Sequence, residues 1–284
     1  MYKYVRFPGF KLKALTLSYD DANRQDKRLI DIMKKHGLKG TFNINSGAYG
    51  GQYDGVEKGR MSKQEAIDLY THSGMEVGIH GFCHLSLTEI DPELVLNEVI
   101  TDRKDLEKTF NRVVKGMAYA YGAYNDEVVD LLKKAGVEYS RTTICTGKFD
   151  LPTDWLKLQT TCHHKDECLM DFAREFVEIK KDNRFWRNNL QMFYLWGHSY
   201  EFDNDNNWNV IEEFAEYVGN RDDIWYATNG EIFNYLKSAE SLRYSIGGGL
   251  VHNPSAMDIY IDYVNNERIV PAGKTIRIDN GEVL

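Results

Sequence analysis

The order of elements in this 284-residue chain predicts an α/β fold, a barrel of seven or eight β/α units followed by a small C-terminal β appendage. Three observations lead there. Apolar strand-like runs alternate with amphipathic helical segments, the pattern of parallel strands joined by right-handed crossovers. Asp20, His80, Tyr121, Arg141, His163 and His198 all fall at or just past the C-terminal ends of predicted strands, the face on which barrel enzymes build their sites. After Gly247-Gly248-Gly249 the alternation stops and only strand-like segments follow.

Leu12 to Ser18 is the first predicted strand, and Arg24 to His36 an amphipathic helix closed by Gly37. Gly40 to Asn45 is the second strand. Ser62 opens a helix with Glu65 three residues on, the pattern of a capping box. Met75 to His80 is the third strand. Asp91-Pro92 starts a long helix to about Phe110, with proline at the favoured first position. Met117 to Tyr121 is a short strand, and Asn125 to Ala135 a helix ended by Gly136. Val137 to Thr143, Leu156 to Cys162, Gln191 to His198 and Ile224 to Thr228 complete the strands. Helices near Lys165 to Lys180, Asn207 to Val218 and Gly230 to Lys237 lie between or after them. In the tail, Ile259 to Val264 and Lys274 to Ile278 read as strands, with turns at Asn265-Asn266 and Pro271-Ala272-Gly273. The predicted organisation is a barrel over residues 1–240 and a β extension over 241–284 packed on it. A stretch of that length makes a poor core alone.

The formal charge of −8, with no basic stripe, disfavours a nucleic-acid partner. No segment approaches the ~20 apolar residues of a membrane span. The first residues, Met1 to Pro8, hold no apolar run of signal-peptide length. Cys83, Cys145, Cys162 and Cys168 lack the spacing of a disulfide framework or zinc ribbon. Together these lead to the expectation of a cytoplasmic protein with reduced thiols. No GxGxxG follows the first strand, which weakens a dinucleotide-binding reading. The 18 tyrosines and 5 tryptophans suit a barrel core, with sugar-stacking platforms as the sharper alternative.

Three distant segments carry the chemistry: Ser18-Tyr19-Asp20-Asp21, His80-Gly81-Phe82-Cys83-His84 and Trp196-Gly197-His198. Each closes a strand-like run. Two histidines four apart, with a distant carboxylate, can hold one divalent cation and leave positions open for water. An adjacent carboxylate and a third histidine then provide a base and an acid.

Together these residues resemble the polysaccharide deacetylases, the NodB-homology family or carbohydrate esterase family four. Ser18-Tyr19-Asp20-Asp21 matches the family's Thr-Phe-Asp-Asp-like motif, and His80 with His84 matches His-x-x-x-His. A later motif places a catalytic histidine after a strand, as at His198. The resemblance covers about Lys13 to Lys237 and implies a distorted barrel. It implies that Asp21, His80 and His84 bind the metal, usually zinc, with cobalt or nickel as alternatives. It implies Asp20 as the base acting on metal-activated water, the Tyr121 backbone N–H as an oxyanion donor and His198 as the acid. The implied substrate is an N- or O-acetylated oligo- or polysaccharide.

The third family motif, Arg-x-Pro-Tyr-Gly, is altered here to Ala118-Tyr119-Ala120-Tyr121-Gly122. The arginine that orients the base is missing. Arg141, at the end of the next strand, is placed to reach the same carboxylate. His163 and His164 end the strand after that; successive side chains on a strand point opposite ways, so one of them is expected at the mouth in a substrate role. Trp196, Tyr200 and Trp208 are candidates for stacking on sugar rings. Two further readings fit the residues. One is a hydrolase of another amide, a cyclic ureide or formyl amide, on the same fold. The other is a catalytically silent protein that binds metal and sugar. The sugar and the oligomeric state stay open.

Overall fold

The computed structural model describes residues 4–51, 59–182, 184 and 188–284. Met1 to Lys3, part of the N-terminal stretch considered above, lie outside the described residues. The fold is α/β with a mostly parallel sheet.

The central strands are β2 (Lys13–Asp20), β3 (Gly40–Ile44), β4 (Glu76–Ile79), β5 (Gly116–Ala118), β6 (Tyr139–Cys145), β7 (Leu158–Thr160), β8 (Cys162–His163), β9 (Gln191–Gly197) and β10 (Ile224–Tyr226). They form one sheet in the order β7-β6-β5-β4-β3-β2-β9-β8, with β10 also on β2. All its pairings are parallel. Strand β2 is central and every residue of it is buried, as expected of a strand covered on both faces. The helices are α1 (Asp26–Lys35), α2 (Lys63–Tyr70), α3 (Pro92–Phe110), α4 (Asp126–Lys134), α5 (Leu169–Glu178), α6 (Tyr200–Asn204), α7 (Trp208–Val218) and α8 (Asn229–Glu240).

Most elements start and stop within two residues of the expected ends. The capping box at Ser62–Glu65 is formed, and Asn125 caps α4 through its side chain. Three differences matter. The strand expected at 117–121 ends at Ala118 and gives way to a tight turn, Ala120–Gly122, with Tyr121 at φ 57. The helix expected from Lys165 begins only at Leu169. The strand expected at 156–162 is split. Residues 158–160 pair with β6 and residues 162–163 pair with β9. Thr161 joins the two halves: its amide donates to the Tyr194 carbonyl (2.9 Å), and its carbonyl accepts from the Gly147 amide (2.9 Å). One short segment thus bridges β6 and β9.

The tail holds more strands than expected. β1 (Val5–Arg6) joins β13 (Ile259–Tyr263) and β14 (Asn266–Val270) in an antiparallel sheet. β11 (Arg243–Tyr244), β12 (Leu250–His252) and β15 (Thr275–Arg277) form another. A sequence boundary at residue 240 puts β1 with the barrel, whereas its pairing puts it in the tail's sheet. Arg6 and Asp262 form a fully buried ion pair at 3.4 Å across this junction. Phe7, Met192, Phe233, Leu236, Ile261 and Ile276 belong to one apolar cluster there. That cluster lies at the strand beginnings, away from the C-terminal strand ends. Among the described residues no helix is long and apolar enough to cross a membrane.

Candidate active site

The end of β2 places Asp20 at the centre of the upper rim. The carboxylate is buried and receives the Asn43 amide from β3 at 2.8 Å. Its other oxygen receives the Arg141 guanidinium. Arg141 lies on β6, directly in register with Ala118 of β5. The cation therefore arrives from one strand beyond the altered motif. Trp196 covers the guanidinium face at 4.4 Å, an arrangement that favours a desolvated arginine. Burial pushes the Asp20 pKa up, but Arg141, His80, His198 and the Asn43 hydrogen bond outweigh it and hold it at about 2.

Asp21 turns away from the strand at φ 81, with its amide donating to the Asn43 carbonyl at 2.9 Å. Its carboxylate faces His84 Nε2 at 3.7 Å and His80 Nε2 at 4.0 Å. Arg60 also reaches it, at 2.9 Å. One ligand atom from each of Asp21, His80 and His84 lies within 4.8 Å of the other two. The loop from His80 to His84 is not a helical turn; Gly81 and His84 both take positive φ, at 82 and 61. His80 Nδ1 is 2.8 Å from the Ala118 carbonyl. A carbonyl only accepts, so Nδ1 carries a proton, and in the neutral ring Nε2 has the lone pair. Burial first, and then His80, lower the His84 pKa to about 4 against the pull of Asp21. His84 is thus neutral at physiological pH and able to ligate. Two imidazoles and one carboxylate at this spacing fit a divalent cation with open positions.

His198 follows β9. Its Nε2 lies 3.9 Å from Asp20, while its Nδ1 faces Glu201 at 3.3 Å. Gly197 is required just before it, because a Cβ there would meet the His164 ring at 2.0 Å. One Glu201 oxygen faces three imidazoles, His163, His164 and His198, each at 3.3 Å. Lys165 meets the other oxygen at 3.1 Å. Burial lowers the His198 pKa, but Glu201, Asp20 and Asp21 outweigh it and the net shift is upward. The Glu201 pKa is pushed strongly down: burial opposes this, and the hydrogen bonds from His163 and His198 prevail. Beside it, Ser199 and Tyr70 both donate their hydroxyls to Asp26, a buried carboxyl whose pKa burial raises to about 7.

A cleft of about 710 Å³ opens over these groups, lined among others by Tyr49, Arg60, Tyr121, Trp196 and Tyr200. The Tyr121 ring packs edge-on against His84, 4.5 Å between centroids. His163 and His164 are absent from the cleft wall. They sit behind His198, where Glu201 draws both rings to one side. The expected substrate position for one of them therefore differs from its place here. Trp208 is also removed from the cleft, buried against Phe202 with its indole N–H on Asp203 at 2.8 Å. Sequence reading missed Glu201, although its i+3 spacing from His198 is a visible signal. It also missed Asn43, Arg60 and Asp26, which no local motif distinguishes from ordinary polar residues.

Residues 9–140 match the family model for polysaccharide deacetylases. A poly-beta-1,6-N-acetyl-D-glucosamine N-deacetylase of Staphylococcus aureus (strain MSSA476) is 26% identical over 146 residues, 48% of this chain and 50% of that protein. The chain thus spans about half the length of the curated relatives it matches. Among solved structures, a Mycobacterium smegmatis protein described as a polysaccharide deacetylase aligns with TM-score 0.57 and 16% identity, covering 84% of this chain and 94% of the other. The Xyl-CE4 domain of a multidomain xylanase from the hindgut metagenome of Trinervitermes trinervoides aligns with TM-score 0.50 and 14% identity, covering 79% and 92%. At these identities the two structures bear on the fold alone. Over residues 9–140, then, this chain is similar to the polysaccharide deacetylases.

Proposed function

We propose that the protein is a metal-dependent deacetylase of N- or O-acetylated oligo- and polysaccharides. The observation that carries this reading is the position of Asp20. Its carboxylate lies between the cation triad on one side and His198 on the other, 3.8 Å from His80 and 3.9 Å from His198. The bridging of β6 and β9 by residues 158–163 supports reading the sheet as a distorted barrel, with the site at its C-terminal mouth.

Asp21, His80 and His84 would hold the cation, with zinc the first candidate and cobalt or nickel alternatives. A bound divalent cation supplies Lewis-acid polarisation of the acetyl carbonyl and a more acidic water. The chain's own groups do the rest. Asp20 stays ionised, oriented by Asn43 and Arg141, and takes the proton of the attacking water. Arg141 replaces the missing motif arginine from the neighbouring strand. The turn at Tyr121 is the candidate for an oxyanion N–H donor, close beside His84. His198, held by Glu201 at Nδ1, gives its Nε2 proton to the departing amine or alkoxide. Trp196 and Tyr200 form the wall on that side, with Trp196 engaged first in covering Arg141.

Acetate release by the zinc-loaded protein on acetylated chito- and xylo-oligosaccharides tests the proposal. Release that disappears with Asp20→Asn, while zinc stays bound, is the expected result. Undiminished release from that variant removes Asp20 as base. No release from the folded, zinc-loaded wild type moves the function to another amide or to binding.

A further inference from the structure

The loop that carries His80 and His84 is held from beneath by helix α3. Asp102 is fully buried. One of its oxygens accepts the backbone amide of His80 at 2.9 Å and the other that of Ser46 at 2.8 Å. Glu98, one turn earlier on the same helix and also buried, accepts the Cys83 amide at 2.8 Å. The Glu98 backbone carbonyl accepts the Phe82 amide at 3.2 Å. Asn45 closes the loop from the other side, donating to the His80 and Gly81 carbonyls at 2.7 and 2.8 Å. Gly81 leaves room for Glu98, since a Cβ there would lie 3.3 Å from its carboxylate.

Two features set Glu98 and Asp102 apart from ordinary loop supports. They are four residues apart on one helix face, so both reach the same loop. Among the described residues no lysine or arginine pairs with either of them. Their carboxyl oxygens are taken up instead by backbone N–H groups of His80, Ser46 and Cys83, so their role is to hold backbone rather than to balance a charge. Glu98 also holds Cys83, immediately before His84, in the stretch where the backbone must reach a positive φ of 61 to aim the ring at Asp21. A left-handed non-glycine residue persists only where its surroundings over-determine it.

We infer that Glu98 and Asp102 are positioning residues for the metal ligands, fixing the His80–His84 loop in its ligating shape and so setting the affinity for the cation. This rests on the metal reading of Asp21, His80 and His84. Partners behind first ligands commonly carry 10–100-fold in metal affinity.

The test is zinc titration of the metal-stripped full chain in competition with a chromophoric chelator, with the melting temperature of each metal-free protein measured alongside. Glu98→Ala and Asp102→Asn are expected to weaken zinc binding by about 10–100-fold, and Glu98→Gln, whose amide oxygen still accepts the Cys83 N–H, to stay within about threefold of wild type. The metal-free melting temperature of Glu98→Ala should stay near that of wild type, separating aim from general stability. Wild-type affinity in Glu98→Ala overturns the inference. So does equal weakening in Glu98→Ala and Glu98→Gln, which would assign the effect to charge. If Asp102→Asn does not fold, the Glu98 pair decides alone. A wild type that binds no zinc removes the metal reading itself, a failure distinct from the other two.

Discussion

Two groups of side chains in this molecule have metal-ligand spacing, Asp21/His80/His84 and His163/His198/Glu201. Distance alone does not separate them, but their hydrogen bonds do. In the first, the Ala118 carbonyl accepts a hydrogen bond from His80 Nδ1–H, which leaves Nε2 of the neutral ring free for a cation. In the second, the Lys165 amide donates to His163 Nδ1 at 3.1 Å. That nitrogen must then be the acceptor, so the proton of neutral His163 sits on Nε2, facing Glu201. Lys165 adds a positive charge on the same carboxylate. The first group is arranged to receive a cation, and the second to hold protons.

The two groups part most clearly at their centres. His80→Ala should abolish stoichiometric zinc binding and, with Asp20→Asn, lower acetate release by about 100-fold or more. Only the histidine variant should lose metal. If both lose it, Asp20 belongs to the first group rather than between the two. Arg141→Ala should cost about 100-fold in kcat at unchanged zinc content, because the base carboxylate loses its orientation. Full activity in a folded Arg141→Ala protein would discard the replacement of the motif arginine by its neighbour.

Glu201→Gln probes the second group. The carboxylate contributes to the upward shift of His198, so the imidazolium persists to higher pH than usual. Activity that needs this acid is lost as pH rises through that raised value. Removing the negative charge should move the basic limb of the kcat profile to lower pH, with little change in zinc affinity. An unmoved limb means that His198 does not act as the acid. His163→Gln should leave zinc stoichiometry at one per chain; a fall from two to one, read by metal analysis after dialysis, would make the second group a metal site after all.

The smallest effect is expected at Asp26. Its folded pKa of about 7 exceeds the ~3.9 of an unfolded aspartate, so its contribution to stability is greatest at low pH and is lost as pH rises toward neutrality. In Asp26→Asn the melting temperature should vary less between about pH 4 and 7. An identical pH slope in variant and wild type would show that Ser199 and Tyr70 fully compensate the burial.

The sequence made the first group readable and the second only half so. Asp21, His80 and His84 sit in short motifs at strand ends, where β-strand period and position on the rim coincide. Arg141 was readable by the same rule, since adjacent parallel strands end at one rim and their last residues become neighbours. Glu201 was hidden because its role depends on a short helix after His198 folding back, not on a strand end. Glu98 and Asp102 were hidden for the opposite reason. They lie in a long helix whose charged residues look solvent-facing until the loop above it is known. The tail's extra strands escaped because β1 and β11 are two residues each, too short for a period-2 pattern to show.

The pairing of β1 with β13 has a consequence for how the molecule is made. Arg6 and Asp262 are 256 positions apart, so on the ribosome β1 stays without its partner strand until all the chain between them has been synthesised. Contacts of such long sequence separation slow folding, because the chain entropy is lost before they form. Every strand of the parallel sheet lies between Lys13 and Tyr226, so that sheet can pair before β13 is made, whereas the β1–β13 pairing cannot.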